Sequence, residues 1–143
     1  MLERLLSARW WLVLALALAG LSSGACARLP DPAALATVQL PDEARETLLR
    51  IERGGPYRYD RDGGVFGNYE RQLPARQRGY SREYTVRTPG VQHRGARRLI
   101  VGCARGDRGT ARASAGSRYP ECAGPAEVYY TEDHYRTFRR VLP

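Results

Sequence analysis

One helical pattern followed by several strand-like runs is the feature that most limits the folds open to this chain. Leu40-Pro41-Asp42-Glu43 places proline at a helix start with two acids in the first turn. Ala44, Leu48 and Ile51 then share one face, and Gly54-Gly55-Pro56 stops the pattern. These residues predict one amphipathic helix of about three turns.

Short runs of β-type residues make up much of the remaining chain. They lie at residues 80–87, 97–101, 127–131 and 135–141. Residues 54–67 are rich in turn formers but contain aromatic side chains that must dock onto something. One helix followed by several strands predicts an α+β fold, with one N-terminal helix packed on a small antiparallel β-sheet.

The first 27 residues have the pattern of a secretory signal peptide. Arg4 and Arg9 precede an apolar run at residues 10–21, and small residues lead to Ala25-Cys26-Ala27. Such a run is too short to span a bilayer permanently, so we expect a secreted, extracellular protein with no stable membrane span.

Cleavage before Arg28 would leave residues 28–39 as a flexible lead-in and residues 40–143 as one domain. An alternative stays open, because Gly24-Ala25-Cys26 partly suits a lipoprotein signal. In that case, the exported chain would be anchored by a lipid at Cys26.

Export makes the cysteines informative, because disulfides persist in oxidising compartments. If Cys26 leaves with the leader, Cys103 and Cys122 have only each other as partners. They flank residues 104–121, a stretch without apolar periodicity that we interpret as an insertion pinned at its base by a disulfide. Two free thiols are the alternative. No metal site is expected, because the cysteines and histidines match no ligand spacing.

Charge indicates an anionic partner. The 143 residues carry 23 basic side chains against 15 acidic ones, for a net charge of +8, and every basic residue is arginine. Guanidinium groups are planar forks that suit bidentate contacts with phosphate, although codon bias is another explanation for the absence of lysine. The hydrophobic share of 43% excludes a disordered tail.

One strand-like run presents a carboxylate near several arginines. Alternation in residues 81–86 puts Glu83 and Thr85 on one face. A hairpin through Thr88-Pro89-Gly90 could bring Glu83 against Arg94 and Arg98. On the pattern alone, a surface ion pair is the plainer interpretation of Glu83.

Asp133-His134-Tyr135 opens the last strand-like run and adds an imidazole to these groups. The set suits cleavage of a phosphodiester through the ribose 2′-hydroxyl. A carboxylate can take the hydroxyl proton, an imidazolium can protonate the leaving oxygen, and arginines can neutralise the phosphoryl oxygens. A structural or merely exposed His134 is the plainer alternative.

Seven blocks resemble, in order, the secreted microbial guanyl-specific ribonucleases, the family of barnase and the small actinobacterial-type ribonucleases. The resemblance runs from about Leu40 to Phe138 and is interrupted only by the insertion. The blocks are Leu40-Pro-Asp-Glu-Ala, Gly55-Pro-Tyr-Arg-Tyr, Asp62-Gly-Gly-Val-Phe-Gly-Asn-Tyr-Glu70, Leu73-Pro, Gly79-Tyr-Ser-Arg-Glu-Tyr-Thr-Val-Arg-Thr-Pro-Gly90, Arg94-Gly-Ala-Arg-Arg98 and Tyr130-Thr-Glu-Asp-His-Tyr-Arg-Thr-Phe138.

The resemblance implies an endoribonuclease that cuts single-stranded RNA on the 3′ side of guanosine. A 2′,3′-cyclic phosphate would form first and then be hydrolysed, with no cofactor. Glu83 matches the family's general base and His134 its general acid, while Arg94 and Arg98 match the arginines that hold the scissile phosphate.

Guanine recognition is also implied by the resemblance. Glu70 would accept from guanine N1–H and N2–H₂, which adenine cannot offer in the same pattern. The residues expected to bind guanine are Phe66, Gly67, Asn68, Tyr69, Glu70 and Tyr135, with backbone amides of residues 67–69 on O6 and N7 and the rings of Phe66 and Tyr135 on the base faces.

This chain departs from the family pattern at several positions. Gly67 stands where glutamine is common and Tyr69 where arginine is common. A terminal cysteine pair is absent. The insertion adds four arginines that either extend the RNA contacts or lie in a solvated loop, namely Arg105, Arg108, Arg112 and Arg118.

Two residues near the implied site receive plainer interpretations. We expect His93 to be an exposed loop residue and Asp62 a structural turn position.

The chain is expected to act as a monomer on single-stranded RNA, with a barstar-like protein inhibitor as the candidate protein partner. The alternative function is a secreted RNA-binding or toxin-like module on the same fold with little or no turnover.

Overall fold

The computed structural model describes residues 33–105 and 117–143. The proposed signal peptide, Cys26 and most of the insertion, with Arg108 and Arg112, lie outside these ranges. Within them, no helix is both long and apolar enough to cross a membrane.

One α-helix and six strands form an α+β fold, as predicted. The α-helix is α1 (Asp42–Glu52), preceded by a short 3-10 helix at Thr37–Gln39. The strands are β1 (Leu35–Ala36), β2 (Gly64–Val65), β3 (Ser81–Thr85), β4 (Arg98–Gly102), β5 (Glu127–Thr131) and β6 (Arg139–Leu142). They form one sheet in the order β1-β6-β5-β4-β3-β2, in which the β1–β6 pair is parallel and the other pairs are antiparallel.

The helix packs through the face that its sequence pattern predicts. Ala44, Leu48 and Ile51 are each at most 4% exposed. They join one core cluster with side chains from the three central strands, including Tyr84, Leu99, Val101 and Tyr130. Burial of such a stripe, more than intrinsic helix propensity, stabilises a helix of this length.

The β3–β4 register determines what the opposite face of the sheet presents. Glu83 pairs with Ile100 and Thr85 with Arg98. Because Tyr84 lies in the core with the helix, strand alternation puts Glu83 and Thr85 on the other face. The predicted hairpin and its alternation are therefore confirmed.

Two predictions about elements need correction. Residues 28–39 are predicted to be a flexible lead-in; residues 28–32 lie outside the described ranges, but Leu35–Ala36 forms β1 and pairs with β6 at Leu35↔Val141, and Thr37–Gln39 forms a 3-10 helix. The last strand was expected at residues 135–141, yet β6 begins only at Arg139. His134 and Tyr135 instead lie in a turn with positive φ angles of 60° and 71°, a conformation that cannot continue a strand.

Cys103 and Cys122 form the predicted disulfide. Both are at most 3% exposed, and Tyr119 packs into the same core cluster. A backbone hydrogen bond from Ala123 to Ala104 (2.9 Å) closes the base of the loop beside them. The described ends of the insertion are thus anchored to the core.

Candidate active site

The Glu83 carboxylate lies between an arginine and a tyrosine hydroxyl. Oε1 is 3.4 Å from Nη2 of Arg94, and Oε2 accepts a 2.6 Å hydrogen bond from the Tyr135 hydroxyl. Its side chain is 17% exposed, so ligands can reach it. Burial, followed by the hydrogen bond to Glu83, raises the pKa of Tyr135, which keeps its hydroxyl a donor.

Arg98 is buried beside this pair at 3% exposure. Its Nη1 donates to the carbonyls of Gly95 (2.9 Å) and Arg97 (2.8 Å), and its Nε donates to the Tyr135 hydroxyl (3.2 Å). No carboxylate within the described ranges forms an ion pair with it. A buried cation held only by neutral oxygens leaves a local field that favours an anion.

Arg94 is positioned by two residues that sequence reasoning did not assign to the site. Its Nε donates to Oγ1 of Thr85 (2.6 Å), and its Nη2 is 3.7 Å from Oδ1 of Asp62. The Asp62 side chain is only 4% exposed, and its Oδ1 also accepts from the backbone N–H of Thr85 (2.8 Å). The strand alternation that puts Glu83 on this face of the sheet also puts Thr85 there. The sequence pattern could therefore have identified Thr85 as a residue of the site.

The turn after β5 presents His134 and is built by Asp133. The Asp133 carboxylate accepts hydrogen bonds from the hydroxyls of Thr131 (2.9 Å) and Thr137 (2.6 Å) and from the backbone N–H groups of Arg136 (3.1 Å) and Thr137 (2.9 Å). These bonds, chiefly those from Thr137, lower the pKa of Asp133 to about 2. His134 is exposed at the tip, with its ring centroid 4.9 Å from that of Tyr135.

An aromatic cluster connects this turn to the residues that follow β2. The Phe66 ring centroid is 5.5 Å from that of Tyr135 and 5.9 Å from that of Phe138. The Tyr135 and Phe138 centroids are 6.4 Å apart. Because Tyr135 also bonds Glu83, the cluster joins the predicted guanine-binding residues to the carboxylate.

The recognition loop, residues 66–70, is shaped by Asn68. This residue has a φ of 47°, and its side chain both donates to the Leu73 carbonyl (2.8 Å) and accepts from the Leu73 N–H (3.0 Å). Asparagine tolerates this left-handed conformation better than most residues. Glu70 is exposed beyond the turn, so its carboxylate is open to a ligand.

Gly67 and Tyr69, the two positions at which this loop departs from the family pattern, contact each other. A Cβ atom on Gly67 would lie 2.4 Å from Cε2 of Tyr69. The tyrosine ring therefore occupies the space of a side chain at position 67 while remaining 88% exposed.

Other predicted residues lie outside this cluster. His93 is exposed and accepts from the N–H of Gly95 through Nδ1 (3.0 Å), consistent with a loop residue. The two described arginines of the insertion form ion pairs within the protein: Arg105 with Glu121, and Arg118 with Glu52 (3.3 Å).

A mostly antiparallel sheet holds a carboxylate between an arginine and a tyrosine hydroxyl, with a second, buried arginine alongside and a turn carrying histidine nearby. This fold and site are those of a small α+β nuclease. The sequence model of the ribonuclease family matches residues 24–142. The chain belongs to this ribonuclease family.

Three similar proteins agree with this assignment. "Guanyl-specific ribonuclease St" of Saccharopolyspora erythraea is 46% identical over 72% of this chain and 81% of its own length. "Guanyl-specific ribonuclease Sa3" of Kitasatospora aureofaciens is 45% identical over 71% of this chain, and the match spans 58% of that relative. "Guanyl-specific ribonuclease Sa" of the same organism is 43% identical over 71% of this chain and 85% of its length.

Solved structures of ribonuclease Sa2 share the fold. One, in complex with mononucleotides, aligns with a TM-score of 0.60 and 38% identity over 79% of this chain and 98% of its own. Another, with guanosine-2′-cyclophosphate, aligns with a TM-score of 0.58 over 76% of this chain and 94% of its own.

Proposed function

We propose that this protein is an endoribonuclease that cleaves single-stranded RNA on the 3′ side of guanosine through a 2′,3′-cyclic phosphate. The observation that carries the proposal is the Glu83 carboxylate held between Arg94 and the Tyr135 hydroxyl, with buried Arg98 alongside. The guanyl-specific relatives and the nucleotide-bound Sa2 structures support the base and the chemistry.

In the first step, Glu83 takes the proton of the ribose 2′-hydroxyl. The 2′-oxygen forms a bond to phosphorus, and the bond to the 5′-oxygen of the next nucleotide breaks. That oxygen leaves with a proton from His134. Arg94 and Arg98 stabilise the negative charge on the non-bridging oxygens, where preorganised donors contribute most.

In the second step, His134 takes a proton from water, which attacks the cyclic phosphate. Glu83 returns its proton to the 2′-oxygen as that bond breaks, leaving a 3′-phosphate. Both residues end in their starting protonation states, so the cycle closes without a cofactor.

Guanine selection is assigned to the recognition loop. Glu70 accepts from N1–H and N2–H₂, the amides of residues 67–69 bond O6 and N7, and Phe66 and Tyr135 pack on the base. An adenine would leave these groups unpaired, which costs about 1 to 3 kcal/mol for each buried group. The exposure of Glu70 and the turn held by the hydrogen bonds from Asn68 to Leu73 are consistent with this role.

Secretion is part of the proposal and is supported by the signal-like pattern of residues 1–27. The rival function, an RNA-binding module without turnover, has no need of both Glu83 and His134. The presence of both residues, together with two arginines, therefore favours the enzyme.

Cleavage of a GpN dinucleotide in chelator tests the proposal. Glu83→Gln should lower kcat by at least about a hundredfold, because general-base catalysis contributes that much. Glu46→Gln, an exposed carboxylate on α1, is the matched control and should keep full activity. Equal cleavage of ApN would contradict guanine selection, and no cleavage by the unmodified protein would contradict the enzyme.

A further inference from the structure

Two cavities with arginine in their walls lie along the β2–β3 edge of the sheet. The first, of about 500 Å³, is lined by Val65, by residues 66–69 of the recognition loop, and by Arg71, Arg76 and Arg78. No acidic residue is found among the described residues that line it. A cavity whose charged lining residues are all positive concentrates anions.

The second cavity, of about 870 Å³, adjoins the first through shared lining residues. Gln77 and Arg78 line both cavities, and Arg82, Arg105 and Glu121 line the second. We name the combined feature the arginine groove and define it by Arg71, Arg76, Arg78, Arg82 and Arg105. It runs from the recognition loop to the disulfide at the base of the insertion.

Only two of these five arginines are neutralised by acids within the described ranges. Arg76 pairs with Glu127 (2.7 Å), and Arg105 pairs with Glu121. Arg71, Arg78 and Arg82 form no ion pair there. The groove therefore retains an excess of positive charge that no carboxylate within the described ranges neutralises.

Arg82 is fixed in place although it has no carboxylate partner. It projects from β3 on the side opposite Glu83, and its Nη1 donates to the Gly63 carbonyl (2.7 Å). Its Nε is buried and has no acceptor within the described ranges. A positioned guanidinium loses less conformational entropy when it binds a phosphate than a free one.

We propose that the arginine groove binds phosphates of the RNA substrate beyond the scissile one. The inference rests on the proposed function, because the groove begins at the loop assigned to guanine and a strand held there supplies further phosphates. Tyr69, which lines the groove at 88% exposure, offers a ring face on which a neighbouring base can stack. The Tyr80 ring is not assigned this role, because the guanidinium carbon of Arg76 already lies over it, 5.1 Å from the ring centroid.

The test compares a GpU dinucleotide with a uridine dodecamer that contains one guanosine. Arg71→Gln/Arg78→Gln removes two exposed charges from the groove. We expect kcat/KM for the dodecamer to fall about tenfold at low salt, because two charge-assisted phosphate contacts are lost. The slope of log kcat/KM against log salt should become shallower by about 1.4. Values for GpU should stay within about twofold, because its single phosphate is assigned to Arg94 and Arg98 and not to the groove arginines.

Arg58→Gln/Arg140→Gln is the control, since it removes the same charge from exposed positions that do not line the groove. If it lowers dodecamer cleavage as much as the groove variant does, general attraction explains the effect and the groove is refuted. Unchanged dodecamer cleavage by the groove variant refutes it as well. Failure of the unmodified protein to cut GpU would instead overturn the proposed function.

Discussion

Arg94 is held by groups that come from two separate parts of the chain. Thr85 accepts from its Nε, and Asp62 faces its Nη2 at 3.7 Å while also accepting from the Thr85 N–H. An arginine held by several partners has few rotamers left, so Nη1 of Arg94, which has no partner within the described ranges, points in a fixed direction. We infer that Asp62 is a positioning residue for the proposed phosphate site.

Asp62→Asn should weaken phosphate binding without changing guanine binding. Asparagine retains the oxygen that accepts from Thr85 but loses the charge opposite Arg94, and it also loses the long (3.3 Å) hydrogen bond that Oδ2 accepts from the Tyr59 N–H. We expect the Kd of guanosine 3′-monophosphate to rise about tenfold, as for loss of a charged partner, while that of guanosine stays unchanged. Calorimetric titration of both ligands measures the difference. Asp60→Asn, at an exposed position, is the control, and an equal rise for both ligands would show a structural role instead.

Glu83, Arg94 and Arg98 are predictable as neighbours from the sequence, because strand alternation and one hairpin suffice to place them. In the sequence, Gly67 and Tyr69 are two separate departures from the family pattern. The structure joins them, since the ring of Tyr69 lies over Gly67. This contact depends on the backbone path of the recognition loop, which no periodicity encodes.

At the scale of elements, the long patterned segments were predictable and the two-residue strands were not. The helix at Asp42–Glu52 and the strand at Glu127–Thr131 match their patterns closely. Leu35–Ala36 and Gly64–Val65 are too short for alternation to appear. The turn at His134 resembles a strand in the sequence, because its aromatic residues suit a strand as well as a turn. Only the hydrogen bonds of Asp133 distinguish the turn from a strand.

Asp133→Ala should destabilise this turn in a pH-dependent manner. The folded pKa of about 2 lies below the ordinary 3.8, so the carboxylate stabilises the fold above pH 3.8 and ceases to as pH falls through 2. We expect the free energy of unfolding at neutral pH to fall by about 1 kcal/mol, after allowance for solvent exposure. Urea unfolding of both proteins from about pH 6 to about pH 2 should show the difference narrowing. A constant difference, or an equal effect of Glu132→Ala, would count against this account.

For the whole molecule, one disulfide closes the segment that the sequence pattern predicts to be an insertion. Cys103 and Cys122 are 19 residues apart and both lie in the core beside Tyr119. Burial raises the pKa of Tyr119 to about 12, as expected for a hydroxyl within the core. The described ends of the insertion are therefore held against the core on both sides of the disulfide.

Removal of the disulfide should lower stability without abolishing chemistry. For Cys103→Ala/Cys122→Ala, we expect the free energy of unfolding to fall by about 3 kcal/mol, because a closed loop of this size restricts the unfolded chain. Cleavage of GpU should persist, since no active-site contact involves the cysteines. Urea unfolding measures the loss, and an unchanged midpoint would refute it. The mass of the exported protein, before and after reduction, reports both a start at Arg28 and the bridge.

The pairing of β1 with β6 has a practical consequence. It places Leu35 beside Val141, at the edge of the sheet farthest from β2 and the recognition loop. A carrier protein or solid support joined at Pro143 would therefore leave from the side of the molecule remote from the arginine groove. The protein can be immobilised by its C-terminus with the edge that carries the arginine groove turned outward.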